Sequence, residues 1–487
     1  MRQFWLMSTG SNATATSSQH GVGSFGPVDN GEDNRMDASF AEAAAETIIK
    51  GIGRRDFVRA VAAMGAGVGL TATAASCATA SETPKATGAA TGNFEVLQPD
   101  QGDISGDHYL QSNPDQVLWG YVPNVHATPV MRMRSEETIT IDTVSHEGIL
   151  EDQGRNPVEY FGGKGVDESD VLQDAIAVAA DYNRTPRNFD KDGPHVVTGP
   201  VFVEGAEPGD VLKIETLQAI PRVPYGVVSS RHGKGALALK ADGTAPDGIS
   251  LDEVMPPIAS DGRPTGNPTQ YGNVSTFTAV EDGHGIMSYG DARVRFPLSP
   301  FMGIMGVAFS QDRDLTAATA NSIPPTIGGG NIDIRLLGEQ STLYLPVFAE
   351  GALFYVGDPH MAMGDGEVAL TAMEGSLRGT YRLTVCKPGS GDAPSVAYRY
   401  PFAETDDVWV PIGLSDPDGA VDGNGTDLDV AMRRAVVNAL DFLQNDQGMD
   451  RATAYAYLSA ASDFAVSQVV DRTVGVHGKI YKSHFAA

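Results

Sequence analysis

The sequence predicts a mainly β protein of the α+β class, in which strands form sandwich-like or barrel-like elements and C-terminal helices pack on a sheet. The chain of 487 residues contains 56 glycines and 29 prolines, and such turn-rich chains favour many short strands over long helices. Short alternating apolar runs recur between turn residues, which is typical of sandwiches and barrels. Apolar residues at helical spacing are concentrated after residue 426.

Composition excludes several classes of protein. With 34 basic and 62 acidic side chains, the chain carries a formal net charge of −28. Such a surface repels phosphate backbones, so we expect no nucleic-acid partner. The two cysteines, Cys77 and Cys386, are too few for a disulfide framework or a four-thiolate zinc site. Apolar residues make up 41% of the chain, which is enough to bury a large core and excludes a wholly disordered chain.

Residues 1–80 are expected to be an export leader. The segment Gly53–Arg59 reads G-R-R-D-F-V-R and resembles the twin-arginine signal, followed by an uncharged stretch rich in alanine and glycine over residues 60–80. This resemblance implies the export machinery as a partner and a periplasmic or extracellular location. A transmembrane helix is the alternative interpretation, although the stretch is poorly hydrophobic.

The end of the leader admits two interpretations. Cleavage after Ala80 fits the small-x-small pattern of Ala78-Thr79-Ala80 and yields a soluble form. In the alternative, Ala74-Ala75-Ser76-Cys77 is a loose lipobox, and Cys77 carries a lipid anchor. The stretch before the twin arginines is unusually long, which points to Met36 as an alternative start.

Beyond the leader we expect a flexible Gly/Thr/Ser/Asp-rich linker (81–105), an N-terminal β-rich part (106–220), a central β-rich part that carries the main site (221–425) and a C-terminal helical section (426–487). Alternating runs predict strands over 117–121, 137–142, 195–204, 211–215, 341–346, 352–356 and 379–385. Pro208-Gly209-Asp210 is a turn signal, because proline presets φ and glycine accepts a positive φ. Apolar stripes at helical spacing predict helices over 170–179, 428–443 and 450–461.

The densest polar segment is Gly357–Glu367, which reads G-D-P-H-M-A-M-G-D-G-E and follows a predicted strand. It presents Asp358, His360, Asp365 and Glu367 on a glycine-punctuated loop. Imidazole and carboxylate groups together suit Zn²⁺ or Ca²⁺, whose binding offsets the repulsion between the acids. The alternative interpretation is a solvated acidic turn.

Two further segments combine similar side chains. Residues 328–335 read G-G-G-N-I-D-I-R and place Asn331, Asp333 and Arg335 after a run of glycines. Such a composition suits a small polar ligand held close to main-chain donors. The segment D-T-V-S-H-E-G over 142–148 ends a predicted strand with Asp142 and His146.

These segments and three further strings resemble the acetamidase/formamidase family. The strings are G-G-N-I-D-I-R, S-T-L-Y-L-P-V, G-A-L-F-Y-V-G-D-P-H-M-A-M-G-D-G-E-V, D-T-V-S-H-E-G, T-G-P-V-F-V-E-G-A-E-P-G-D-V-L and V-S-Q-V-V-D-R-T-V-G-V-H-G-K-I. They extend from about His108 to Phe485 in the order that the family shows. The resemblance implies a β-rich, metal-associated enzyme that hydrolyses short aliphatic amides, such as formamide or acetamide, to ammonia and a carboxylate.

Elimination agrees with this implication. The sequence has no Gly-Ser-Ser-Gly-Gly run of the serine amidases, and Cys386 ends the predicted strand Tyr381–Cys386, where a thiol is usually a packed small hydrophobe. Metal-activated water is the remaining nucleophile: a cation lowers the pKa of water and polarises the amide carbonyl, while a carboxylate carries protons to the leaving ammonia.

We assign roles to the candidates as follows. The expected metal ligands or their immediate neighbours are Asp142, His146, Asp333 and His360. Glu367 is the expected proton carrier, with Asp365 beside it, and Asn331 and Arg335 are candidates for holding the substrate. Asp358 and His232 are secondary candidates. We expect a divalent metal, with Zn²⁺ as the first choice and Ca²⁺ as the alternative, and a homo-oligomer.

Other histidines are assigned structural roles, since His195 lies at a strand entrance and His477 and His484 follow the C-terminal helices. One alternative function belongs to a different class. An exported β-sandwich could hold Ca²⁺ in its Asp/Gly loops and act as a non-catalytic binding or structural protein.

Overall fold

Strands account for most of the regular structure, as the turn-rich composition predicts. The structure is a computed structural model that describes residues 94–240, 242–260, 272–310, 321–418 and 426–485, all within one compact unit. Its strands, in chain order, are β1 (His108–Leu110), β2 (Val117–Trp119), β3 (Met131–Arg134), β4 (Thr138–Asp142), β5 (Val196–Glu204), β6 (Val211–Pro221), β7 (Tyr225–Arg231), β8 (Asn273–Glu281), β9 (His284–Tyr289), β10 (Ala292–Pro297), β11 (Phe301–Val307), β12 (Gly329–Asn331), β13 (Thr342–Pro346), β14 (Phe354–Ala362), β15 (Met373–Glu374), β16 (Leu377–Cys386), β17 (Phe402–Glu404), β18 (Val408–Leu414), β19 (Asp463–Gln468) and β20 (Gly475–Tyr481). The predicted leader, with Arg54, Arg55 and Cys77, lies outside the described residues.

Two large sheets contain these strands. The first has nine strands in the order β1-β4-β16-β6-β13-β17-β18-β20-β19. The second has eleven; its main path is β10-β9-β8-β7-β15-β14-β11-β12, and β5 pairs with β14, β2 and β3. Most neighbours are antiparallel; β1 runs parallel to β4, and β3 runs parallel to β5.

The core lies where the two sheets face each other. Strands β11 and β14 of the second sheet contact β16 of the first, and one apolar cluster contains Ile214 and Leu383 of the first sheet with Met305 and Val356 of the second. All seven residues of β11 and the first eight of β14 are buried, so these strands are covered on both faces. Strand β11 therefore reads as a continuous rather than an alternating apolar run, whereas β14 also carries the buried polar residues Asp358 and His360.

The described residues form four α-helices: α1 (Pro157–Gly162), α2 (Gln173–Asp181), α3 (Leu428–Asn445) and α4 (Arg451–Ala461). Helix α3 begins at the N-cap Asp427, whose side chain accepts a hydrogen bond from Val430 N at 3.1 Å. Its apolar face packs on β18 and β20, as predicted for C-terminal helices that cover a sheet. No helix in the described ranges is long and apolar enough to span a bilayer.

The strand order shows how the predicted parts combine in the first sheet. Strands from all three predicted parts alternate within the first sheet, because neighbouring strands such as β4 (from 106–220) and β16 (from 221–425) pair across the chain. The C-terminal section is not only helical, since β19 and β20 extend the same sheet beyond β18.

The described part of the predicted linker, residues 94–105, is anchored rather than free. Leu97 O accepts a hydrogen bond from Arg222 Nε at 2.9 Å, and Gln101 O accepts one from Arg378 Nη1 at 2.5 Å. Both guanidinium groups are buried. Because buried donors must find acceptors, the backbone carbonyls of this segment are held against the core despite its polar composition.

Candidate active site

Strand β14 supplies the centre of the candidate site. Residues two apart on a strand point to the same face, and this alternation places Asp358 and His360 side by side, 3% and 0% exposed. The His360 Nε2 atom lies 3.1 Å from Asp358 Oδ2 and 3.1 Å from Glu374 Oε1. Glu374 arrives from β15, where it pairs directly with His360.

Two more histidines approach Asp358 from the other side. His146 follows β4, and its Nδ1 lies 3.5 Å from Asp358 Oδ1. His195 precedes β5, which pairs with β14, and its Nε2 lies 3.6 Å from Asp358 Oδ2. The other ring nitrogen of His195 makes a 2.9 Å hydrogen bond with Ser322 Oγ, which orients the ring.

A third group joins the cluster through His360. Its Nδ1 lies 3.8 Å from Asp333 Oδ1, and its Nε2 lies 3.9 Å from Glu367 Oε1. Three sets of ligand atoms therefore lie close enough to hold metal ions, each set within 4.8 Å: His146, His195 and Asp358; Asp333, His360 and Glu367; and Asp358, His360 and Glu374.

The polar atoms of this cluster lack ordinary partners. Within the part of the chain that the structure describes, the buried atoms without a hydrogen-bond partner include both carboxylate oxygens of Asp333, both ring nitrogens of His360, His146 Nδ1, Asp358 Oδ1 and Glu374 Oε2. Buried polar groups are normally hydrogen-bonded, and an orphaned set is costly unless an ion satisfies it. The residues present therefore fit a divalent cation, and mixed imidazole and carboxylate ligands suit Zn²⁺.

Gly303 in β11 leaves the space that the cluster needs. A Cβ at this position would collide with Asp333 Oδ1 and would lie 2.6 Å from His360 Cε1 and 2.8 Å from Asp358 Oδ2. Because Gly303 has no side chain, the side chains of Asp333, Asp358 and His360 have room to approach one another beside β11.

The backbone is strained at three of the carboxylates. Asp333, Asp358 and Glu367 have φ values of 44°, 51° and 46°, in the left-handed region that disfavours residues with a Cβ. Such strain costs about 1 to 3 kcal/mol per residue and concentrates at functional sites. The fold holds these three side chains against their local preference.

Burial and the charges of the cluster together shift the pKa values of His146 and His195 in opposite directions. Burial alone would lower the pKa of His146, but the carboxylates of Asp358 and Glu147 outweigh it and raise that pKa to about 10. Burial lowers the pKa of His195 to about 4, against the attraction of Asp358. His195 is therefore a neutral imidazole, the form that binds metals.

The carboxyl groups of the site also differ in the direction in which their pKa values are shifted. Burial raises the pKa of Glu367 well above its usual range, and repulsion from Asp333 adds to the effect. Burial raises the pKa of Asp471 in the same way, with Glu367 contributing. For Asp358 burial acts in the same direction, but His195 and His360 outweigh it and hold its pKa well below the usual range. The site thus contains carboxylates whose pKa values are shifted in opposite directions.

Part of this cluster lines a cavity of about 330 Å³. The buried residues on the cavity wall include His146, His195, Asp358, Glu367 and Glu374, together with Asn331, whose Oδ1 has no hydrogen-bond partner. A concave cavity with convergent polar groups and shifted pKa values is the usual form of an active site.

Most of the residues selected from the sequence come together here. His146, Asp333, His360 and Glu367 belong to the cluster, Asn331 lines the cavity, and the secondary candidate Asp358 lies at the centre. Four of the sequence-based candidates lie elsewhere: Asp142, Asp365, Arg335 and His232.

Asp142 is not a ligand of this cluster. Its Oδ1 and Oδ2 accept hydrogen bonds from Arg378 Nε at 2.6 Å and Nη2 at 2.9 Å, and Tyr109 donates to Oδ2 at 2.7 Å. Arg378 stands directly opposite Asp142 on the paired strand β16. Both oxygens are thereby occupied in a buried ion pair.

The other three candidates are held by local partners. Arg335 Nε donates to Asp365 Oδ1 at 2.9 Å in a partly exposed ion pair that does not line the cavity. The Nδ1 of His232 makes a 2.7 Å hydrogen bond with Pro256 O. Its neighbours Arg231 and Lys234 line the cavity, whereas His232 does not.

Sequence reasoning missed His195, Glu374 and Asp471. His195 was assigned a structural role because it lies just before a predicted strand. The sequence does not show that this strand, β5, pairs with β14, which carries Asp358. Glu374 follows the acidic loop in the chain, and no motif assigned it a role. Asp471 lies inside the string V-S-Q-V-V-D-R-T, and that position in a family-like segment was the only signal for it.

Cys386 lies apart from the cavity. Its side chain is fully buried in β16, and burial raises the pKa of the thiol to about 11. A thiol in this state is a poor nucleophile.

Comparisons with known proteins agree with the family that the strings indicate. Residues 304–477 match the model of the acetamidase/formamidase family. The acetamidase of Mycolicibacterium smegmatis is 30% identical over 213 residues, which cover 37% of this chain and 51% of that protein. A candidate formamidase of Schizosaccharomyces pombe is 28% identical over 257 residues, which cover 42% of this chain and 55% of that protein. The chain thus spans about half the length of these curated relatives.

Among solved structures, a predicted acetamidase/formamidase from Thermoanaerobacter tengcongensis superimposes with a TM-score of 0.54. It is 20% identical, and the match covers 78% of this chain and 96% of that one. The structural likeness confirms the mainly β, α+β fold class, and the sequence matches support the acetamidase/formamidase family.

Proposed function

We propose that this protein hydrolyses linear amides to ammonia and a carboxylate. The observation that carries the proposal is the buried set of histidine and carboxylate atoms that converge beside the cavity and have no hydrogen-bond partner among the described residues. The similarity to an acetamidase and a candidate formamidase supports the same reaction class.

The residues that would hold a divalent cation are His146, His195 and Asp358, with His360 and Glu374 next to them. A cation bound there would polarise the amide carbonyl and make water a stronger nucleophile near neutral pH. Zn²⁺ is the proposed metal because histidines contribute to each of the three sets, whereas Ca²⁺ prefers oxygen ligands throughout. The same argument disfavours the non-catalytic Ca²⁺-binding sandwich.

The chain's own residues supply the remaining steps. Asn331 Oδ1 is a free acceptor on the cavity wall and can receive a hydrogen bond from the amide N–H₂. This contact would orient the carbonyl carbon toward the cluster.

Glu367 is the proposed proton carrier. Burial raises its pKa and so favours the protonated form, which can deliver a proton to the amide nitrogen as the C–N bond breaks. A water molecule adds to the carbonyl carbon in the same reaction, and its proton restores the acid. The products are ammonia and a carboxylic acid, so atoms and charges balance.

Ammonia release from a panel of amides tests this proposal. Glu367→Gln should lower kcat by about 10²-fold or more, the usual size of a general acid-base contribution, while the fold is retained. Glu339→Gln, which changes an exposed glutamate outside the cavity, is the matched control and should retain activity. Cys386→Ala should retain activity as well.

Metal removal tests whether the reaction requires a bound divalent cation. Chelator should abolish ammonia release, and added Zn²⁺ should restore it. Full activity of the metal-free protein would exclude the metal-assisted reaction, and failure to release ammonia from any amide would overturn the proposed function itself.

A further inference from the structure

The cavity is larger than a formamide or acetamide molecule requires. Its volume is about 330 Å³, and a water molecule occupies about 30 Å³ in the liquid. The cavity therefore has room for roughly ten water-sized groups, and volumes of this order are found in sites for drug-sized ligands. A longer amide would use the space that a short one leaves to water.

Part of the cavity lining is apolar. Leu150, Phe189, Ile323, Leu370 and Val470 line it, and Phe189 is 41% exposed. A hydrocarbon chain between the amide and the far end of the substrate would bury this surface, and each buried methylene typically improves binding about fourfold.

Basic side chains also line the cavity, and the exposed ones define what we call its mouth. Four basic residues line the cavity, and two of them are already paired: Arg187 with Glu151 at 3.1 Å and Arg231 with Asp152 at 3.0 Å. The other two, Lys234 and Arg472, are exposed and have no side-chain partner among the described residues.

Among the described residues the lining contains six acids, of which five are buried: Asp192, Asp358, Glu367, Glu374 and Asp471. Asp190 also lines the cavity and is exposed, so the mouth offers two unpaired cations against one carboxylate. This excess is unusual in a chain whose net charge is −28. Arg472 is also held at a φ of 64°, a strained backbone that fixes its position beside the site residue Asp471.

We infer that the preferred substrate is an amide whose opposite end carries a negative charge, with a short hydrocarbon chain between the two. Its amide would lie on the histidine and carboxylate cluster, its chain along the apolar part of the lining, and its anionic group near Lys234 and Arg472. This inference rests on the proposed amide hydrolysis and narrows the substrate class.

Two amides that differ only in charge test the inference. Glutaramate carries a carboxylate at the far end, and 5-oxohexanamide has a methyl ketone of the same shape. The metal-loaded protein should have a kcat/KM about 10-fold higher for glutaramate, since each of two exposed ion pairs contributes up to about fivefold. The preference should fall as salt is added, because exposed charges are screened.

Variants locate the effect. Lys234→Met and Arg472→Gln should each reduce the preference for glutaramate over 5-oxohexanamide by about threefold to fivefold, and mainly through KM. The matched controls are Lys240→Met in the same loop and Arg433→Gln on α3, both outside the cavity. These two variants should keep the parent preference.

The outcomes separate this inference from the proposed function. Equal kcat/KM for the two amides, the highest kcat/KM on formamide or acetamide, or a preference that survives in both variants would overturn the inference while amide hydrolysis stands. If no amide is hydrolysed, calorimetric binding of glutarate and 5-oxohexanoate still decides, because tighter binding of glutarate that depends on Lys234 supports the anion site and equal binding overturns it.

Discussion

At the scale of single residues, the site depends on the absence of a Cβ atom at Gly303. The site side chains of Asp333, Asp358 and His360 meet where a Cβ at Gly303 would stand. Glycine is needed here for space, since this residue lies in strand β11 with no left-handed φ.

Gly303→Ala should therefore lower kcat by about 10²-fold or more, because a displacement of about 1 Å in a catalytic cluster is enough for such a loss. Zn²⁺ content should fall in parallel. The control is Gly162→Ala, where no atom lies within 4 Å of the added carbon. Wild-type activity and metal content in Gly303→Ala would contradict the proposed cluster.

Asp142 provides a second test at this scale, because its sequence context suggested a metal ligand and its partners indicate a buried ion pair. Asp142→Asn should lower the free energy of unfolding by about 3 kcal/mol or more, since it leaves Arg378 buried without its counter-charge. The metal content of the folded protein should not change. Asp365→Asn, which breaks a partly exposed pair with Arg335, should cost less than about 1 kcal/mol. Urea unfolding and metal analysis check both, and loss of metal from Asp142→Asn would restore it as a ligand.

At the scale of elements, the contact between α3 and the first sheet depends on a close approach. Gly413 in β18 lies against the backbone of the helix, and a Cβ there would collide with Ala431 O and Ala435 N. Asn438 Nδ2 donates to Ile412 O at 2.7 Å across the same interface. Helix and strand are therefore joined by backbone contact as well as by apolar packing.

Gly413→Ala should destabilise the protein by about 1 to 3 kcal/mol, the usual cost of overpacking, because the helix must move away from the strand. The matched control is Gly364→Ala, which has open space around the added carbon and should change the unfolding free energy little. An unchanged urea midpoint for Gly413→Ala would show that the helix position is adaptable.

The hairpin of β19 and β20 makes the free energy of unfolding depend on pH. His477 in β20 is fully buried and its Nδ1 makes a 2.9 Å hydrogen bond with Ser467 Oγ. Burial lowers the pKa of His477 from 6.5 to about 4, although Asp365 opposes the shift and Lys479 and Arg335 reinforce it. In the unfolded chain the histidine takes up a proton below about pH 6.5, whereas in the folded chain it stays neutral to about pH 4.

His477 should therefore destabilise the fold as the pH falls from about 6.5 to 4, by up to about 3 kcal/mol. His477→Gln keeps a neutral polar side chain and removes this proton uptake. Urea unfolding at pH 7 and pH 5 should show a smaller loss of stability in the variant than in the parent. Equal losses would mean that His477 titrates alike in both states.

At the scale of the whole molecule, the acidic composition and the twin-arginine-like segment Gly53–Arg59 motivate a proposal about the location of the protein. A net charge of −28 favours solubility and opposes nucleic-acid binding. The twin arginines, Arg54 and Arg55, precede the chain that carries the fold. We propose export of the folded, metal-loaded protein by the twin-arginine route, and assembly into a homo-oligomer.

Replacing Arg54 and Arg55 together by lysine should leave the precursor in the cytoplasm, because the pair is read as an address rather than as charge. Cell fractionation with an antibody to the protein measures the distribution. A single-site control, Lys50→Arg, keeps the charge before the motif and should not alter export. Unchanged export of the double-lysine variant would contradict the twin-arginine route.

The sequence by itself determined the fold class, the family-like segments and half of the site. Alternation and turn residues predicted the strands, and the strings around His146, Asp333 and His360 selected side chains that do converge. These features are local, since period, turn chemistry and motif are properties of neighbouring residues. The same information placed Asp142 beside His146, because both follow one strand in the chain.

Only the tertiary structure decided which of those side chains share a cavity. The pairing of β4 with β16 sets Arg378 opposite Asp142 and removes it from the site, while the pairing of β5 with β14 brings His195 to Asp358. Glu374 enters through β15, and Asp471 through the turn between β19 and β20. Each of these contacts joins residues far apart in the chain, and their register follows from packing of the complete sheets, which local sequence patterns do not specify.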